Sequence, residues 1–77
     1  MPHVIVKLYP GRSEEQKTRL TEEIVKVVVT IAKSEEKSVS VAIEEIKPED
    51  WLEKVYKPDI IGNQRKLYKK PGYNPFA

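Results

Sequence analysis

The sequence predicts an α/β fold: one β-α-β unit with parallel strands, followed by short C-terminal helices, in a single domain over residues 1–77. Three observations carry this expectation. Two segments of alternating apolar residues, His3 to Tyr9 and Ser38 to Ile46, read as strands. Between them lies one capped stretch with helical spacing, opening at Ser13. A strand–helix–strand crossover returns its second strand parallel to the first, with right-handed connection.

In the first strand Val4, Val6 and Leu8 share one face, and His3, Ile5, Lys7 and Tyr9 the other. Pro10-Gly11 breaks it. Ser13 and Gln16 have the spacing of a capping box, and Glu14 and Glu15 suit the positive end of the helix dipole. Leu20, Ile24, Val27, Val28 and Ile31 then form an apolar stripe. The run Val27 to Ile31 favours strand by propensity, but cap and stripe agree on helix to about Ala32. Lys33 to Lys37 is a polar loop. On the return strand Val39, Val41 and Ile43 share a face, opposite Ser40, Ala42 and Glu44.

Pro48 starts a short helix carrying Trp51, Leu52, Val55 and Tyr56, and Pro58 is expected to end it. Asp59 is placed to cap another short helix through about Tyr68. Lys69 to Ala77 is a turn and tail, whose Tyr73 and Phe76 either dock on another subunit or fray.

Composition removes several classes of function. With no Cys there is no disulfide, thiol nucleophile or Cys-bound zinc. A single His, His3, argues against a His-based metal site or a Ser-His-Asp triad. No apolar run approaches a membrane span, and the alternating start is unlike a signal peptide, so a cytoplasmic protein without membrane contact is expected. A net charge of +2 is too small to argue for nucleic acid; Lys66, Lys69 and Lys70 are the only support for that reading. Charge is nevertheless uneven. Residues 35–50 carry six acids against two lysines and residues 57–70 five bases against one acid, either as solvated faces or as complementary surfaces of two subunits. A two-stranded sheet with one helix cannot cover both its faces, so a second copy is expected to extend it.

The chemistry-bearing feature is the start, Met1-Pro2. A small second residue lets the initiator methionine be removed, leaving proline with a free secondary amine. Such an amine is both nucleophile and base, and a dry pocket or nearby cation favours its neutral form. Many chains begin Met-Pro and make no use of it, so Pro2 alone does not decide the matter.

Taken with Gly11-Arg12-Ser13-Glu14-Glu15-Gln16-Lys17 opening a helix, a parallel return strand and Trp51, this start resembles the 4-oxalocrotonate tautomerase family. The resemblance runs from Pro2 to about Trp51. SVSVAIEEIKPEDW and the tail KKPGY are similar to the longer, PptA-type members, which are dimers, whereas the shortest members form hexamers. It implies cofactor-free keto–enol tautomerisation, with Pro2 as the base. It implies that Arg12 binds a substrate carboxylate, for which a planar guanidinium is suited. By itself Arg12 reads better as a solvated loop cation. The resemblance makes Trp51 an apolar wall beside the proline; by itself Trp51 reads as a core anchor. One position departs: the dicarboxylate-processing members carry a second arginine where this chain has Ser40. Dicarboxylates are therefore disfavoured, and a monocarboxylate 2-oxo acid or enol of the phenylenolpyruvate type fits better, with Ser40 lining the site.

The expected whole is a homodimeric isomerase whose two β-α-β units share a four-stranded sheet with helices on one face. It needs no cofactor or metal and has neither nucleic-acid nor membrane partners. The alternative is a non-catalytic small oligomeric interaction module that retains the fold.

Overall fold

The computed structural model describes residues 1–76, so the last residue of the expected tail, Ala77, lies outside the described residues. The chain divides into two compact units, Met1–Glu45 and the segment from Ile46 onward.

The first unit is the expected β-α-β. Strand β1 (His3–Leu8) is followed by helix α1 (Glu14–Ile31), a 3₁₀ turn (Glu36–Ser38) and strand β2 (Ser40–Glu45). The strands pair in parallel, in register from His3 opposite Ser40 to Leu8 opposite Glu45. Gly11 takes φ +128°, a conformation that side chains rarely adopt, and there the chain leaves β1 for the helix. The capping box forms as expected. The Gln16 amide donates to Ser13 Oγ at 3.1 Å, and the Ser13 amide donates to Gln16 Oε1 at 2.9 Å. At the other end Lys33 takes φ 58°, just past the helix, where the chain must turn toward β2. The valine-rich run stays helical: β-branched residues cost only tenths of a kcal/mol each, and the cap together with packing of the half-buried Val28 and Val29 outweighs that preference.

Lys17 ties the first turns of α1 to the end of β2. Its ammonium lies 2.8 Å from Glu14 and 3.4 Å from Glu45. The hydrogen bond to Glu14, helped by Glu45, holds the Lys17 pKa above its usual 10.5. A raised amine pKa stabilises the fold while the amine is charged. That contribution is expected to be complete below about pH 10.5 and to fade as pH climbs through the raised value. Thermal unfolding followed between neutral and strongly alkaline pH should therefore lose less stability in a Lys17→Met variant than in the parent.

The apolar stripe is shifted from its expected position. Ile24 and Val28 are half-buried, together with Thr21, Val25 and Val29. Leu20, Val27 and Ile31 instead remain exposed, Ile31 at 74%. Spaced by seven and four, these three share one edge of the helix, beside the face turned to the sheet. On the sheet, Val4, Val6, Leu8, Val41 and Ile43 are half-buried, while Ile5 on the opposite face is 51% exposed. No residue from Met1 to Glu45 is fully buried.

In the second unit α2 (Pro48–Trp51) opens with Pro48 in its first turn, as expected. Pro58 does not end the helix. The backbone widens into a π-helix (Leu52–Ile60) that runs through it. The wider turn re-routes hydrogen bonds around the residue that lacks an N–H and opens room for its ring. Asp59 consequently lies inside this helix rather than at the start of the next, whose N-cap position is Ile60. The following 3₁₀ segment (Ile61–Lys66) has no side-chain cap and breaks helical geometry at Asn63. It stops short of Leu67 and Tyr68. The only buried side chains among the described residues, Val55 and Tyr56, belong to this unit. The tail folds onto it: the Tyr73 and Phe76 rings lie 5.6 and 5.7 Å from that of Tyr56.

Candidate active site

Pro2 is half-buried at the entrance to β1, where its carbonyl accepts the Ser40 amide at 3.1 Å. The chain start is thus stitched to the start of β2 by the same parallel ladder that pairs His3 with Ser40. Across that pair, His3 Nδ1 and Ser40 Oγ are 2.6 Å apart. With Met1 attached, the Pro2 nitrogen is an amide without a basic lone pair. Met1 itself is fully exposed, with no packing to oppose its removal.

Arg12 is not brought to this end. It follows the far end of β1, immediately before the Ser13 cap, where Nη1 donates to the Tyr9 carbonyl at 3.3 Å and the side chain is exposed. Six residues of strand span about 20 Å, beyond the reach of an arginine. Within one chain, Pro2 and Arg12 cannot hold the same small molecule. The cleft along α1 lined by Thr21, Val25, Val29 and Glu36 includes none of the expected site residues.

Trp51 belongs to the second unit. Its indole Nε1–H donates to the Tyr73 hydroxyl at 2.9 Å, and the half-buried ring is thereby fixed from the tail. The structure therefore brings together Pro2 and Ser40, sets Arg12 at the other end of the sheet, and anchors Trp51 through Tyr73. Two residues escaped the sequence reading. His3 was legible only as a strand residue, because its partner depends on the register of the strands. Tyr73 was legible only as a tail aromatic.

A β-α-β unit whose chain start is paired into the sheet beside a parallel return strand is the architecture of the small tautomerases. A family model described as tautomerase enzyme matches residues 2–55. The "Probable tautomerase" of Xylella fastidiosa is 38% identical over 77 residues, covering all of this chain and 94% of that protein. Tautomerase PptA of Cronobacter sakazakii is 40% identical over 74 residues, 95% of this chain and 97% of the relative. Among solved structures, YwhB, a homologue of 4-oxalocrotonate tautomerase, superposes with a TM-score of 0.59 at 37% identity, over 60% of this chain and 75% of that one. The chain belongs to the 4-oxalocrotonate tautomerase family and is an isomerase.

Proposed function

We propose that this enzyme is a cofactor-free keto–enol tautomerase whose base is the Pro2 amine exposed by loss of Met1. The family match begins at Pro2, which supports that residue as the functional start. The observation that carries the reading is the pairing of Pro2 with the uncharged Ser40 at one end of the sheet. The amine takes the enol hydroxyl proton. The oxygen's electrons close the carbonyl, and the double-bond electrons take the proton back at carbon from the prolyl ammonium. Nothing is consumed, so neither cofactor nor metal is required by this scheme.

Arg12 binds the substrate carboxylate and stabilises charge on the developing oxygen. Since one chain cannot bring Arg12 to its own Pro2, the arginine comes from a second copy. A homodimer with a shared four-stranded sheet is the reading we favour. The exposed Ile5, Leu20, Val27 and Ile31 and the absence of any buried residue in the β-α-β unit support it. Trp51 supplies an apolar wall, and Ser40 lines the site. One arginine and one hydroxyl suit a monocarboxylate 2-oxo acid or enol of the phenylenolpyruvate type better than a dicarboxylate. A cytoplasmic location goes with this reading, because initiator methionine is removed from nascent chains there.

Ketonisation of an aryl enolpyruvate by Met1-free protein is the test of the activity; absence of any acceleration over buffer would remove the proposed substrate class. Sedimentation at micromolar concentration is expected to give about twice 8.9 kDa. A clean monomer would leave Arg12 without a route to Pro2.

A further inference from the structure

We propose that His3 is a positioning residue that sets the polarity of the Ser40 hydroxyl, holding it as a hydrogen-bond donor toward the anionic oxygen of the substrate. This rests on the reading of Ser40 as a site residue given above. The juxtaposition is fixed by the backbone. His3 and Ser40 are register partners in the parallel ladder, so their side chains leave the same face of the sheet. The Ser40 amide is held by the Pro2 carbonyl at 3.1 Å, which limits movement of the strand relative to the chain start. The 2.6 Å contact between His3 Nδ1 and Ser40 Oγ is a hydrogen bond in either direction.

Direction decides the chemistry. A serine hydroxyl has one proton to give and two lone pairs to receive with. If Nδ1 is bare, the hydroxyl spends its proton on the ring and offers the substrate only lone pairs, which repel a carboxylate or enolate. If Nδ1 carries hydrogen, the ring donates into Oγ and the hydroxyl proton is left for the substrate. A hydroxyl that accepts a hydrogen bond also donates a stronger one. Both the Nδ1–H neutral ring and the imidazolium supply this arrangement; only the Nε2–H neutral ring defeats it. An anion-binding end of the sheet therefore calls for the Nδ1–H form, which the Ser40 oxygen selects by accepting from it.

His3 is the only histidine in the chain, so ¹⁵N spectra of Met1-free protein report its ring without assignment ambiguity. The neutral ring is expected to show hydrogen on Nδ1 in the parent, and to shift toward the Nε2–H form in Ser40→Ala. An Nε2–H ring in the parent would overturn the proposal. Kinetics with an aryl enolpyruvate supply the second arm. Ser40→Ala and His3→Phe are each expected to raise KM by a similar factor, on the order of three- to tenfold for a lost hydrogen bond, with kcat changed less. His3→Asn, which keeps an amide donor near the Nδ1 position, is expected to recover most of the loss. The double variant should be no worse than Ser40→Ala alone. Additive losses, or failure of His3→Asn to rescue, would overturn the role of His3 while leaving the tautomerase reading intact. An unchanged KM in Ser40→Ala would remove Ser40 from the site and this inference with it. An inactive parent protein would instead sink the reading on which both depend.

Discussion

Protein that keeps Met1 is expected to ketonise an enol substrate at least about a hundredfold more slowly than protein beginning at Pro2, the usual scale for removing a general base. The physical reason is local. Acylation by Met1 ties the nitrogen lone pair into the amide and abolishes its basicity, while β1 and its pairing to Ser40 are unaffected. The comparison thus isolates the base from the fold. In the processed form the rate should rise with pH through the amine pKa and then level, since only the neutral amine accepts a proton. Free α-amines titrate at about 7.7–8.0. The proposed guanidinium and apolar wall would both disfavour the ammonium, so the midpoint is expected to be lowered from the amine's ordinary value. Pro2→Ala keeps a terminal amine, primary and more mobile, and is the weaker test. Equal rates from the two forms would mean that Pro2 is not the base.

Arg12→Ala is expected to cost on the order of ten- to hundredfold in kcat/KM with a carboxylate substrate, and much less with a neutral enol. The expected difference follows from what a guanidinium can do: a charged, forked donor is worth most against a carboxylate. Equal losses on the two substrates would show that Arg12 does not read the carboxylate. The strand length adds a sharper version. If Arg12 acts on the Pro2 of another copy, then Met1-retained chains and Met1-free Arg12→Ala chains, each nearly inactive, should complement when mixed and allowed to exchange. In a mixed dimer one site pairs an intact Pro2 with an intact Arg12, and the other lacks both. Random exchange would restore about a quarter of the parent's sites, because half of the dimers are mixed and each has one good site of two. No recovery despite verified exchange would confine Arg12 to its own chain, where about 20 Å of strand separates it from Pro2.

The candidate site was legible in part. Pro2, Arg12, Ser40 and Trp51 could be picked out only through the family resemblance, since alone they read as a chain start, a loop cation, a strand residue and a core anchor. Their grouping could not. Pro2 meets Ser40 because the parallel register places them together, and a register shift of one residue would have turned the opposite face of β2 to His3. Arg12 stands apart because β1 is six residues long and the helix begins only after it. Both facts concern pairing and distance between segments remote in sequence.

By itself the sequence determined the β-α-β order, the capping box at Ser13 and Gln16, and the break at Pro10-Gly11, because each depends on neighbours within about four residues. It also predicted an apolar stripe on α1, but placed it off the face that meets the sheet: of its five residues only Ile24 and Val28 are half-buried. The structure decided that Thr21, Ile24, Val25 and Val28 turn inward while Leu20, Val27 and Ile31 stay outside, a choice made by how the helix rolls on the two strands. Pro58 shows the limit most plainly. Local stereochemistry says that proline ends a helix, since its ring crowds the preceding turn and it brings no amide. The chain instead widens to a π-helix and continues to Ile60, with Val55 and Tyr56 buried and Tyr73 and Phe76 folded against the tyrosine. Packing around Tyr56 rewards continuation of the helix, and that reward comes from residues some seventeen to twenty positions downstream, which no local pattern contains.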